Sequence, residues 1–123
     1  MNGSGLCILL VEDDPSLRLL CRVNLELEGF SVLEAGTLAE ARAVLDRADL
    51  VLLDLQVSRE DGRTLLDEAK RLRPDRAVVL LTGSDFDPPT RALADDLVRK
   101  PFTPKELVAS VRRAAGVESS PDR

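Results

Sequence analysis

Apolar runs alternate with helical patterns along the whole chain. The run at residues 6–11 is continuous, as expected for a strand that is buried on both faces. Asp14 and Pro15 follow it as an N-cap and a first helical residue. Apolar residues then recur at helical spacing until Gly29, at Leu20, Val23 and Leu27. This stretch predicts a strand followed by a helix.

The same alternation continues to the end of the chain. Four further apolar runs have the length of strands, at residues 31–35, 50–53, 77–82 and 97–99. Capping-box patterns at Thr37 and Thr103 mark the starts of two helices, and Gly62 precedes another. Residues 83–96 are rich in proline and aspartate and leave room for about two helical turns. The pattern predicts five strand–helix units with a short or irregular fourth helix, and therefore a parallel sheet covered on both faces.

The predicted strand ends carry a distinctive set of polar residues. Strand one leads into Glu12 and Asp13, strand three into Asp54, strand four ends in Thr82, and strand five leads into Lys100. The carboxyl ends of parallel strands meet at one edge of a sheet, where ligand sites of open α/β sheets form.

Three clustered carboxylates favour a hard cation, and Mg²⁺ prefers such oxygen ligands. A phosphoryl group bound there would be neutralised by the cation, by Lys100 and by the Thr82 hydroxyl. Asp54, alone on a central strand, is then the predicted nucleophile.

Composition narrows the possibilities. The 123 residues suit a single domain, 44% of them are hydrophobic, and the net charge of −5 argues against a nucleic-acid surface. Histidine is absent, which excludes histidine bases, nucleophiles and metal ligands. No apolar run is long enough to span a membrane and no basic leader precedes the first apolar run, so we expect a cytoplasmic protein. Cys7 and Cys21 lie in apolar patterns and are expected to be reduced.

The motifs "ILLVEDDPSLR", "DLVLLDL", "VVLLTG" and "ADDLVRKPFTPKEL" occur in an order that resembles the receiver domain of two-component response regulators. The resemblance runs from about residue 8 to residue 113. It implies a flavodoxin-like, doubly wound (βα)5 fold with the strand order 2-1-3-4-5. It also implies a switch rather than a metabolic enzyme, phosphorylated by a histidine kinase or a histidine phosphotransfer protein.

The resemblance further assigns roles to individual residues. Asp54 would be the phosphoacceptor, with Thr82 as the switch hydroxyl and Lys100 as the phosphate contact. Mg²⁺ would be held by the carboxylates of Glu12, Asp13 and Asp54 and by the backbone carbonyl of Gln56. Lys100–Pro101 would be a cis peptide. We expect the receiver domain at residues 1–116, a tail or linker at 117–123, a monomer or weak dimer, and a downstream protein partner that the sequence does not identify.

Departures from the family pattern leave an alternative open. The usual aromatic switch position is Leu97, Ser58 stands where a proline is common, and the Thr82-to-Lys100 interval is short. Leu97 and the short 83–96 region favour a degenerate receiver that binds proteins without phosphorylation, whereas the complete set of acidic, hydroxyl and lysine residues opposes it. A hydrolase of the haloacid-dehalogenase type ranks lower, because Gln56 replaces its second aspartate and the motif order differs.

Overall fold

The computed structural model describes residues 5–83 and 87–117. Strands and helices alternate, as the pattern predicted. The strands are β1 Cys7–Val11, β2 Ser31–Ala35, β3 Leu50–Asp54, β4 Gln56–Val57, β5 Glu60–Asp61, β6 Ala77–Thr82 and β7 Asp96–Arg99. The helices are α1 Pro15–Leu27, α2 Leu38–Val44, α3 Arg63–Leu72, α4 Pro88–Leu93 and α5 Pro104–Ala115, and a single 3-10 turn at Leu45–Arg47 follows α2. The predicted tail lies outside the described residues except for Val117.

Five strands form one parallel sheet in the order β2-β1-β3-β6-β7. Counted without the small β4–β5 hairpin, this is the predicted order 2-1-3-4-5, and the flavodoxin-like fold is confirmed. The register aligns Leu9 with Leu33 on one side and with Val51 on the other. All residues of β3 and β6 are buried, which matches their continuous apolar sequences.

Alternate side chains of each central strand enter separate cores on the two faces of the sheet. Leu9, Val51 and Val78 pack on the face covered by α2 and α3. The other face is covered by α1 and α5, and Ile8 and Leu52 pack there. The sheet is therefore doubly wound, and both faces are shielded from water.

Helix α1 exposes the face that the apolar spacing suggested would be buried. Cys21 and Leu25 are the buried residues of the helix, whereas Leu27 is 77% exposed. Leu20 and Val23 are also exposed. The helix itself was predicted correctly, but its orientation was wrong, because α1 carries apolar residues on two faces and spacing alone does not choose between them.

Helix α4 is short, as the sequence predicted. It has six residues, begins after the N-cap Asp87 and carries prolines in its first turn. Two aspartates that follow it are anchored rather than freely solvated. Asp95 accepts hydrogen bonds from Lys70 and from the Val78 N–H, and Asp96 is paired with Arg113.

The helix starts confirm most of the capping predictions. Asp14 accepts from the N–H groups of Ser16 and Leu17, and Thr103 with Glu106 forms a complete capping box. Thr37 caps α2, but Glu40 reaches back to the Gly36 N–H instead of closing the box. Among the helices in the described ranges, none has the length and apolar character needed to cross a membrane.

The orientation of α1 can be tested with two leucine truncations. We expect Leu25→Ala to lower the free energy of unfolding by about 2–5 kcal/mol, because it leaves a cavity under the helix. Leu27→Ala should change it by no more than about 0.5 kcal/mol, because this side chain lies largely in water. Urea unfolding followed by far-ultraviolet circular dichroism suits a chain without Trp or Tyr. Equal losses in the two variants would contradict the described orientation.

Candidate functional site

The carboxyl edge of the sheet brings the predicted acidic residues together. Glu12, Asp13 and Asp54 each offer a carboxylate oxygen, and these three atoms lie within 4.8 Å of one another. Glu12 is 1% exposed and Asp54 is 6% exposed, whereas Asp13 lies in solvent. Residues from β1 and β3 meet here because these strands are hydrogen-bonded neighbours in the sheet.

Lys100 reaches two of these carboxylates from the edge strand. Its Nζ lies 3.0 Å from Glu12 Oε1 and 2.9 Å from Asp54 Oδ2. The backbone N–H of Lys100 donates to the Thr82 carbonyl at 2.8 Å, and this bond fixes the position of the Lys100 backbone next to β6. The Lys100–Pro101 peptide is cis, as the resemblance implied.

Burial and neighbouring charges shift the pKa values of Glu12 and Lys100. Burial raises the pKa of the Glu12 carboxyl, and the Asp54 charge adds to this, against hydrogen bonds from the Asp14 N–H and Lys100. Burial alone would lower the pKa of Lys100, but its hydrogen bonds and ion pairs with Asp54 and Glu12 outweigh that effect and raise it. Lys100 is therefore held as a cation between two carboxylates.

Backbone groups orient the remaining oxygens. Asp54 Oδ1 accepts from the Gln56 N–H at 2.9 Å, and Glu12 Oε2 accepts from the Asp14 N–H at 3.1 Å. Thr82 is buried at the end of β6, one strand away from Asp54, while the Gln56 side chain is exposed. The structure thus places all six predicted site residues at one edge of the sheet.

The donor set fits a divalent cation. Three carboxylates face one ammonium group, so the cluster keeps an excess of negative charge, and every side-chain ligand atom is oxygen. Such a set is what Mg²⁺ or Ca²⁺ prefers.

Three residues that sequence reasoning did not single out support the site. Arg18 donates to the Glu12 carbonyl at 2.8 Å and to Glu34 at 3.2 Å. Ser58 donates its N–H to Asp13 Oδ2 at 2.8 Å. Gly62 closes the loop after Asp54 through an N–H bond of 2.7 Å to the Leu55 carbonyl. Of these, Gly62 carried a sequence signal as a glycine just before a helix and Ser58 as a departure from the family pattern, but neither was assigned to the site.

The fold and the acidic pocket define a doubly wound α/β domain that presents carboxylates at the carboxyl edge of its sheet. Residues 8–112 match the family described as the response regulator receiver domain, and the chain belongs to this family. It is a signalling domain rather than a classical enzyme.

Relatives and solved structures agree with this assignment. The transcriptional regulatory protein CpxR of Escherichia coli K12 is 41% identical over 115 residues, which cover 85% of this chain and 47% of that protein. The chain spans about half the length of most of the first curated relatives it matches, with shares of 47%, 47% and 51%.

Two similar structures cover nearly the whole domain. The non-phosphorylated HemR receiver domain of Leptospira biflexa is 28% identical with a TM-score of 0.83, covering 94% of this chain and 98% of that one. The response regulator TrrA of Thermotoga maritima, in complex with Mg²⁺ and BeF, is 28% identical with a TM-score of 0.80, covering 89% and 98%.

The close approach at Gly62 yields a second prediction. A Cβ at Gly62 would lie 2.8 Å from the Asp54 carbonyl oxygen and 3.1 Å from Leu55 Cα, and neither backbone atom can rotate away. We expect Gly62→Ala to lower the free energy of unfolding by about 1–3 kcal/mol and to displace the backbone that carries Asp54.

Gly83→Ala is the matched control for this substitution. The nearest atom to a Cβ there is Lys100 Cβ at 3.8 Å, an ordinary contact, so the stability should be unchanged or slightly increased. Urea unfolding and amide chemical shifts near Asp54 measure both effects. A Gly62→Ala protein as stable as Gly83→Ala would refute the close approach.

The raised pKa of Glu12 yields a prediction about pH. Because the folded state binds the Glu12 proton more tightly than the unfolded state does, ionisation destabilises the fold as the pH rises through the folded pKa. We expect metal-free Glu12→Gln to unfold at higher urea than wild type at neutral pH. The difference should shrink as the pH falls toward the ordinary carboxyl range, where wild-type Glu12 is protonated in both states.

Glu60→Gln is the control for the change in net charge, because Glu60 is an exposed carboxylate in the hairpin that follows Asp54. It should not reproduce the pH-dependent gain. A Glu12→Gln protein less stable than wild type at neutral pH would show that the Lys100 bond outweighs the burial of the charge.

Proposed function

We propose that this domain accepts a phosphoryl group on Asp54 in a Mg²⁺-dependent reaction and acts as a cytoplasmic signalling switch. The donor we propose is a histidine kinase or a histidine phosphotransfer protein. One observation carries the proposal: Lys100 Nζ contacts Asp54 and Glu12 at 2.9 and 3.0 Å while Asp13 completes an oxygen cluster beside them. The TrrA structure, bound to Mg²⁺ and BeF, supports the same chemistry in a relative.

The residues proposed to hold the metal are Glu12, Asp13 and Asp54, together with the backbone carbonyl of Gln56. When bound, the cation supplies positive charge next to the phosphoryl oxygens. Burial of Glu12 keeps water away from one side of this site. Exposure of Asp13 leaves the other side open to a partner protein and its phosphoryl group.

The chain's own groups prepare Asp54 as the nucleophile. Its Oδ1 is oriented by the Gln56 N–H and its Oδ2 by Lys100. One carboxylate oxygen forms the new bond to phosphorus as the bond from phosphorus to the donor's histidine nitrogen breaks. Lys100 is then placed to pair with a phosphoryl oxygen, and the Thr82 hydroxyl, one strand away, is proposed to bind another.

The contacts of Lys100 also neutralise charge in the site before a phosphoryl group arrives. The carboxylates of Glu12 and Asp54 share the single ammonium group of Lys100. A cation held by these carboxylates would take over part of this neutralisation, and Lys100 would then be available to pair with incoming negative charge. The same group therefore stabilises the resting site and the phosphorylated site in turn.

Intact-mass measurement tests the proposal. Wild type incubated with acetyl phosphate and Mg²⁺ should gain the mass of one phosphoryl group, and Asp54→Asn should gain none. Glu60→Gln changes an exposed carboxyl group in the hairpin that follows Asp54, and this variant should still gain the phosphoryl mass. Adduct on Asp54→Asn would mean that another residue is the nucleophile.

The degenerate-receiver alternative makes a different prediction. It predicts no adduct in any variant and no response of amide chemical shifts to Mg²⁺ with beryllium fluoride. An adduct that is lost quickly would still leave a beryllium fluoride response at Asp54. The two measurements together therefore separate the alternatives. A purified histidine kinase labelled on its histidine would then test the proposed class of donor.

A further inference from the structure

The hairpin that follows Asp54 has an unusual turn. Strands β4 and β5 pair Val57 with Glu60, so the turn consists of Ser58 and Arg59 alone. Their φ angles are +51° and +66°, although neither residue is glycine. Two-residue hairpins require this left-handed backbone, but they normally use Asn or Gly for it. A side chain other than these is strained there, so the surrounding contacts must hold the turn in place.

Two hydrogen bonds from Ser58 meet this requirement. Its N–H donates to Asp13 Oδ2 at 2.8 Å, and its hydroxyl donates to the Gly36 carbonyl at 2.8 Å. Asp13 follows β1 and Gly36 follows β2, so Ser58 joins the hairpin to the ends of both strands. We call this pair of bonds the Ser58 strap.

The strap acts on the least constrained member of the acidic cluster. Glu12 and Asp54 are buried and bonded to Lys100, whereas Asp13 is exposed. An exposed carboxylate samples several rotamers unless a partner holds it. The Ser58 N–H occupies one carboxylate oxygen of Asp13 and leaves the remaining lone pairs for a cation.

The base of the hairpin is rigid, so the turn is well placed to act as a fixed donor. Gly62 lies against the backbone of Asp54 and Leu55, and its N–H bond to the Leu55 carbonyl is 2.7 Å. Asp61 pairs with Arg63, which also contacts Asp87 at the start of α4. The base of the hairpin is therefore held against the end of β3, which carries Asp54.

We propose that Ser58 is a positioning residue for Mg²⁺ binding, because its strap holds the Asp13 carboxylate in the orientation that the cation requires. The proposal rests on the proposed function, in which Asp13 is a metal ligand. A proline at this position would have no N–H and could not form the bond to Asp13. The strap is thus a property of this chain's own residues. Outer hydrogen bonds of this kind change metal affinity by about 10–100-fold.

The first test needs neither metal nor phosphoryl group. In the metal-free protein, Asp13→Ala should shift the Ser58 amide proton upfield and speed its exchange with solvent, because the proton loses its carboxylate acceptor. The amide of Glu60 on the other strand of the hairpin should change little. An unchanged Ser58 amide would overturn the proposal.

The second test measures the Mg²⁺ dissociation constant by titrating amide shifts in folded variants. Ser58→Pro removes the N–H and cannot adopt the positive φ of this turn, so it should raise the constant by about tenfold or more. Ser58→Asn keeps the backbone N–H, tolerates the left-handed backbone and offers a side-chain N–H in place of the hydroxyl donor to the Gly36 carbonyl, so it should stay within about twofold of wild type. Arg59→Lys keeps the neighbouring charge and should also stay near wild type.

Circular dichroism establishes whether each variant is folded. If Ser58→Pro does not fold, Ser58→Ala replaces it, since that variant loses the bond to the Gly36 carbonyl and should raise the constant several-fold. Wild-type affinity in folded Ser58→Pro or, failing that, in Ser58→Ala would overturn the proposal. If wild type itself binds no Mg²⁺, the proposed function fails, whereas the metal-free amide test still reports on the strap.

Discussion

The ion pair of Lys100 with Glu12 and Asp54 is the interaction on which the carboxyl edge of the sheet depends. Two carboxylates that are nearly removed from water lie next to each other, and without a cation their burial and mutual repulsion would cost several kcal/mol. A lysine at the start of the β7–α5 connection supplies that cation, although β7 lies three strands from β1 and two strands from β3 in the sheet. The domain therefore maintains a site that is costly for its stability and useful for its chemistry.

The parallel sheet makes this arrangement possible. Hydrogen-bonded neighbours β1, β3 and β6 end at the same level, and each leads directly into a site residue or ends in one. The two cores on either side hold these strands through side chains that alternate between faces. Loops then need to supply only short extensions. A helix-based or antiparallel fold would not bring so many strand ends with the same polarity to one edge.

Much of this could be predicted from the sequence because its strongest signals are local. Continuous apolar runs gave the strands, capping residues such as Thr103 gave the helix starts, and strand-end polar residues gave the site. The buried face of α1 could not be predicted, because Leu20 and Leu25 are equally apolar and the contacts with β1, β2 and α5 decide which is buried. The Ser58 contacts were hidden because each pairs a side chain with a backbone group that is remote in sequence: the Asp13 carboxylate with the Ser58 N–H, and the Ser58 hydroxyl with the Gly36 carbonyl.

The loop after Asp54 also constrains how the domain can vary over evolution. Its base is set by contact between Gly62 and the backbone of Asp54 and Leu55, where any side chain is too large. Its tip, at Ser58 and Arg59, faces solvent, so a substitution there does not press on the sheet. In natural evolution and in laboratory selection, we therefore expect substitutions in this loop to accumulate at these two adjacent positions. Substitutions at these positions can alter the site without changing the structure of the sheet beneath it.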